Sequence, residues 1–223
     1  GTDAFQEAPV SASLGPLAKH CFLVTRPDQL EATMRTAFEI ARTGRPGPVV
    51  IDIPKNVQNW EGSFQGGGLL GVPGYRNRMS AVEENLLTDS DCAQFYELLS
   101  AAKRPLIYCG GGVINGHASN AMRKFALHHG IPVATTLMGI GAYDTMDKNS
   151  LHMLGMHGTA YANYAVEDCD MVIAVGARFD DRVAGVPEKW APKAKCIAQF
   201  DVDPSEIGKV KPVAWSHVGI LER

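Results

Sequence analysis

The sequence predicts an α/β protein: a doubly wound parallel sheet preceded by the last helix–strand unit of another α/β domain. Three observations predict it. Helix-like and strand-like patterns alternate from about residue 90 onward, the order that gives parallel strands joined by crossover helices. The strand candidates, above all Met171-Val172-Ile173-Ala174-Val175, are short, apolar and β-branched throughout, as in strands covered on both faces. That run ends at Gly176 and delivers Arg178, Asp180, Asp181 and Arg182 within five positions. Charge therefore reaches the carboxyl edge of a sheet, where open α/β folds bind ligands.

Taken in order, residues 1–25 have no helical period, and Gly15-Pro16 interrupts them. From Asp28, the apolar positions Leu30, Met34, Ala37, Phe38 and Ala41 follow a helical period. Thr43–Pro48 breaks it, and Val49–Ile53 reads as a buried strand closed by Pro54. Residues 1–58 thus form the end of a first domain. Residues 59–87 lose periodicity, collect Gly66, Gly67, Gly68, Gly71, Pro73 and Gly74, and read as a linker. The second domain, 88–223, carries helix 90–102, strand 105–109, helix 117–129, strand 131–135, helix 159–168, strand 171–175 and strand 195–200.

With 223 residues, 45% of them hydrophobic, the chain is long enough for a sizeable core. A formal net charge of −3 argues against nucleic acid or an anionic membrane as the main partner. No apolar run reaches membrane-spanning length. The five cysteines form no CxxC pair and read as reduced, mostly buried residues of a cytoplasmic protein. The seven histidines show no zinc spacing. A start at Gly1-Thr2-Asp3, without an initiator Met, reads as a piece of a longer chain.

Four stretches carry chemistry. Gly110-Gly111-Gly112 lies between a strand and a helix, where backbone can approach a phosphate. Asn115 stands where a dinucleotide fingerprint wants its third glycine, so a tight turn and a cofactor contact both remain open. Thr136-Leu137-Met138-Gly139 leaves the next strand end with a hydroxyl and backbone amides suited to a polar chain. In Leu154-Gly155-Met156-His157-Gly158, Met156 offers an adaptable contact for a ring, and His157 is a cofactor ligand or a cap. In Gly176–Val183, Arg178 suits a pyrophosphate, while at least one of Asp180 and Asp181 must orient an arginine or cap a turn. Asp201-Val202-Asp203 adds a second acidic strand end, the logic of nucleotide binding.

These stretches, with Gly1-Thr2-Asp3-Ala4-Phe5-Gln6-Glu7, resemble the acetohydroxyacid synthase (acetolactate synthase) family of thiamine-diphosphate enzymes. The resemblance runs from Gly1 to about Lys211. It implies a Rossmann-like middle domain that holds FAD without net redox chemistry, preceded by the end of the thiamine pyrimidine-binding domain. By resemblance the flavin contacts are Phe5, Gln6, Arg45, Gly110, Gly111, Gly112, Thr136, Leu137, Met138, Leu154, Gly155, Met156, His157, Gly176, Ala177, Arg178, Asp180, Arg182, Val183, Asp201 and Val202. An exposed turn arginine is the other reading of Arg45. Gln6 and Lys55 are candidates to line the substrate channel.

The resemblance also implies that thiamine diphosphate and Mg2+ work in the full-length enzyme, because the family's catalytic glutamate falls before Gly1 and its diphosphate motif beyond Arg223. It implies 2-keto acid substrates, a homodimer or homotetramer, and a small regulatory subunit as a further partner. The chain alone is then expected not to catalyse carboligation. One departure is Ser216-His217, where the family usually has Gly-Asp on the adenine side. Other FAD-carrying thiamine enzymes (glyoxylate carboligase, pyruvate oxidase) and a non-catalytic nucleotide-binding or oligomerisation module remain alternatives.

Overall fold

A computed structural model describes residues 4–222, so the Gly1-Thr2-Asp3 opening of the first motif and Arg223 lie outside the described residues. The chain divides into two compact units, one ending at Met79 and one beginning at Ser80.

The first unit holds helix α1 (Val10–Leu14), strand β1 (His20–Leu23), helix α2 (Leu30–Arg42), strand β2 (Val49–Asp52) and helix α3 (Lys55–Gln58). β1 adds a strand to residues 1–25, where the sequence shows only the lack of a helical period: it pairs in parallel with β2, His20 opposite Val49. Four residues are too few to display a period. The buried face of α2 is Thr33, Thr36, Ala37 and Ile40, while Phe38 is 63% exposed. The apolar count misplaced this face because threonines fill it. The Thr33 hydroxyl donates to the Gln29 carbonyl at 2.8 Å, and that of Thr36 accepts from the Leu70 N–H at 2.8 Å. β2 is half-buried along its length rather than buried, since among the described strands it pairs only with β1.

The stretch expected to be a linker has structure of its own. Helix α4 (Tyr75–Glu84) falls within it. The preceding residues are tied back to α2 by the Gly66 N–H on the Glu31 carboxylate at 3.0 Å, and Arg76 of α4 forks its guanidinium onto Glu39 at 2.8 and 2.6 Å.

The second unit continues through helix α5 (Asp89–Ala101), strand β3 (Pro105–Cys109), helices α6 (Gly111–Asn115) and α7 (Ser119–His129), strands β4 (Val133–Thr135) and β5 (Ser150–Met153), and helix α8 (Ala160–Asp168). Strand β6 (Met171–Val175), helix α9 (Asp181–Ala184) and strands β7 (Cys196–Asp201) and β8 (Trp215–Val218) complete it. The six strands lie in the order β5-β4-β3-β6-β7-β8, all parallel.

Alternation along β3 separates two apolar layers. Ile107 and Cys109 join Phe95, Val113, Met122, Ile173 and Trp215 on one side. Leu106 and Tyr108 join Leu154, Val172, Phe179 and Trp190 on the other. Helix 117–129 begins instead at Ser119, because the chain first makes the single turn of α6 and reverses through His117 at φ 53°. β5 and β8 escape a sequence reading. β5 contains His152 at φ 59° and a register shift, and β8 alternates buried Trp215 with exposed Ser216 at a sheet edge.

Candidate functional site

The strand order reverses once. From β3 the chain lays down β4 and β5 on one side, then crosses back to set β6 against the other side of β3. The carboxyl ends of β3 and β6 therefore flank a crevice at the topological switch point, the place where parallel sheets open to ligand.

Two backbones meet there. The Gly110 N–H donates to the Val175 carbonyl and the Gly112 N–H to that of Gly176, each at 3.0 Å. A Cβ on Gly110 would lie 2.1 Å from the Gly176 oxygen, and one on Gly112 2.6 Å from the Gly176 Cα. Gly176 itself sits at φ 53°. Packing between the two loops thus accounts for the glycines at 110, 112 and 176. Gly111 instead faces Met138, whose Cβ would be 3.0 Å away.

The next strand end carries Thr136, whose hydroxyl accepts from the Gly139 N–H at 3.1 Å and caps a short turn. That turn leaves Leu137 and Met138 outermost, Met138 being 75% exposed.

The loop after β6 is anchored from below. Phe179 is buried against Tyr108 and Trp190, with ring centroids 5.4 and 5.3 Å away. The Tyr108 hydroxyl donates to the Arg178 carbonyl, and burial raises its pKa far above the ordinary phenol value. The Arg178 side chain, 54% exposed, projects beyond this anchor and touches the Asp180 carboxylate at 3.4 Å. Asp180 also accepts from the Arg182 N–H at 3.2 Å, capping α9, while Asp181 is exposed. One aspartate therefore both orients an arginine and caps the turn.

Loop 154–158 leans on the same segment. The Met156 N–H donates to the Arg182 carbonyl at 3.0 Å, and the Arg182 Nη1 lies 3.9 Å from the Met156 Sδ. Met156 and His157 are exposed. Leu154 and Ala177 turn into the core, with Val183 packed against it. Asp201, at the end of β7, is buried, and its carboxylate accepts from the Asp203 N–H at 2.9 Å. Gly176 adjoins it through an N–H bond to the Phe200 carbonyl at 2.9 Å, and Val202 is half-buried.

The structure thus gathers the candidates from Gly110 to Val202 along one sheet edge. Phe5, Gln6, Arg45 and Lys55 belong to the first unit, all four exposed, with Gln6 at φ 64°. Three residues of the edge were missed in the sequence: Tyr108, Asn163 and Gln199. Asn163 clamps Gly155, and buried Gln199 bonds the Glu206 carbonyl and the Gly208 N–H at 3.0 and 3.1 Å. The available signal was a polar group inside an apolar strand or helix, which must find a partner.

Burial pushes the Cys109 thiol up to about 12, so it is protonated at neutral pH. Among the described residues, no group of three or more His, Cys, Asp or Glu side chains is arranged to hold a metal ion. No described helix is long and apolar enough to cross a membrane. An exposed arginine, a glycine-lined strand edge and outward Leu137, Met138 and Met156 together suit a ligand with an anionic linker and an apolar flat group.

Residues 92–222 match the family described as thiamine pyrophosphate enzyme, central domain. The chain is 46% identical over 217 residues to acetolactate synthase, chloroplastic, of Arabidopsis thaliana, covering 95% of this chain and 30% of that protein. It is 44% identical over 219 residues to the acetolactate synthase large subunit of Corynebacterium glutamicum (98% and 34%). Against the acetolactate synthase large subunit of Parasynechococcus marenigrum it is 46% identical over 224 residues (99% and 35%). The chain spans about a third of the length of these curated relatives.

Proposed function

The chain belongs to the thiamine pyrophosphate enzyme family, whose central domain it carries, and on that premise we propose that it is the FAD-binding middle region of an acetolactate synthase. The switch-point crevice carries this reading. Arg178 stands exposed at its rim, and the closely packed Gly110–Gly112 and Gly176–Ala177 backbones form its floor.

The residues fit FAD in kind. Arg178 forms a planar fork for the pyrophosphate. Asp201, on the neighbouring strand end, suits the ribose side. Leu137, Met138 and Met156 offer apolar contact to the isoalloxazine ring, with Arg182 beside them. Bound there, the flavin would supply a rigid wedge that orders these loops. Phe5, Gln6, Arg45 and Lys55 complete our proposed set, as flavin and channel residues of the first unit. We read residues 1–58 as the end of the pyrimidine-binding domain and 88–223 as the flavin domain.

In the whole enzyme, we infer, two 2-keto acids are joined with loss of carbon dioxide, using thiamine diphosphate and Mg2+. We take the enzyme to be a cytoplasmic homodimer or homotetramer that also accepts a small regulatory subunit. Five unbridged cysteines support a reducing compartment.

The test is flavin binding by the 223-residue chain. FAD is expected to co-elute on gel filtration and to lose fluorescence on titration. Arg178→Ala should weaken binding by about 1.5–3 kcal/mol, the value of a hydrogen bond to a charged group. Absence of flavin binding by the wild-type chain would overturn the reading.

A further inference from the structure

Asn163 lies in α8, yet its amide faces the loop before that helix. Its Oδ1 accepts from the Gly155 N–H at 2.9 Å, and its Nδ2 donates to the Gly155 carbonyl at 3.0 Å. Both backbone groups of one residue are thus held by one planar side chain. Asn is a poor residue for a helix interior, so local propensity does not explain it. The residue held is a glycine in a conformation other residues rarely adopt: Gly155 has φ 93°, and a Cβ there would lie 2.6 Å from the Arg182 carbonyl. That carbonyl accepts the Met156 N–H. Locking Gly155 therefore fixes the direction of Met156 and the seam between loop 154–158 and the arginine loop.

We propose that Asn163 is a positioning residue, which pre-organises Met156 and Arg182 for the flavin by holding Gly155 in its left-handed conformation. The proposal rests on the flavin reading above. Preorganisation of this kind strengthens binding by sparing the ligand the ordering of the loop.

The test uses Asn163→Asp and Asn163→Ala in the 223-residue chain, with FAD titrated by fluorescence at pH 8 and pH 5 and folding followed by circular dichroism. In the Asp variant, one carboxylate oxygen still accepts from the Gly155 N–H, but the other opposes the Gly155 carbonyl. Binding at pH 8 should weaken about tenfold. Protonation of that carboxyl restores a donor to the Gly155 carbonyl, so the loss of affinity relative to wild type should shrink as pH falls from 8 to 5.

Other ionisable groups of these elements are His152 on β5, His157 in the loop, Tyr161, Tyr164, Glu167 and Asp168 on α8, and Arg178, Asp180, Asp181 and Arg182 opposite. They are common to all variants, and the ratio to wild type removes their effect. The Ala variant should weaken binding at both pH values and show faster hydrogen exchange at Gly155 and Met156 without flavin. Equal affinity of wild type and Asp variant at pH 8, or unchanged exchange in the Ala variant, overturns the proposal and leaves the flavin reading intact. Failure of the wild type to bind FAD overturns both.

Discussion

Cys109 and Cys169 lie in opposite apolar layers of the sheet, and burial pushes each thiol up to about 12. Tyr143 is likewise pushed up to about 12, by burial first and by its hydrogen bond to the Asp147 carboxylate second. Each folded-state value lies above the unfolded one, so the protonated groups contribute stability fully at neutral pH. As pH rises past about 9, the unfolded chain releases these protons first, and the contribution disappears by about pH 12. Thermal melts across that window should show a falling midpoint, and a flat profile would contradict the burial of these groups. Legibility at this scale follows range. Gly176, Arg178 and Asp180 announce themselves by interrupting an apolar run. Tyr108 and Asn163 stay silent because each holds a backbone group of another segment, 70 and 8 residues away.

At the level of single elements, the start of α5 is fixed by a local signal. Thr88 accepts from the Asp91 N–H at 3.1 Å, and the Thr88 N–H donates to the Asp91 carboxylate at 2.9 Å, a reciprocal capping box. Thr88→Ala should lower the stability of the second unit by about 1 kcal/mol, measurable in urea unfolding. A variant as stable as the wild type would mean that packing of Phe95 and Leu99 alone holds the helix. The central strands β3 and β6 were legible because burial on both faces demands an unbroken apolar run, and β7 was legible despite its buried Gln199. The face of α2 was not, since Thr33 and Thr36 are buried through hydrogen bonds that hydrophobicity does not register. The sheet edges β5 and β8 mix polar and apolar residues, and their assignment awaits the neighbour they pair with.

Over the whole molecule, both apolar layers and all six strands of the larger sheet lie within the second unit. Its doubly wound character was readable from the alternation of patterns. The strand order was not, because nothing local distinguishes a chain that continues outward after β5 from one that crosses back to β3. That crossing has a kinetic consequence. Pro105 pairs with Met171, 66 residues later, whereas Val133 lies opposite Ile107 and Cys196 opposite Met171 at much shorter separations. Closing the longer loop carries the larger entropic barrier, and long-range strand pairing is slow. Strands β3–β5 and β6–β8 can therefore assemble as two half-sheets before they join, and neither half has a crevice. On the flavin reading proposed above, stopped-flow refolding with saturating FAD should show far-UV ellipticity recovering ahead of flavin quenching. Coincident traces would instead mean that the sheet forms in one step, with the ligand-competent edge as old as the strands themselves.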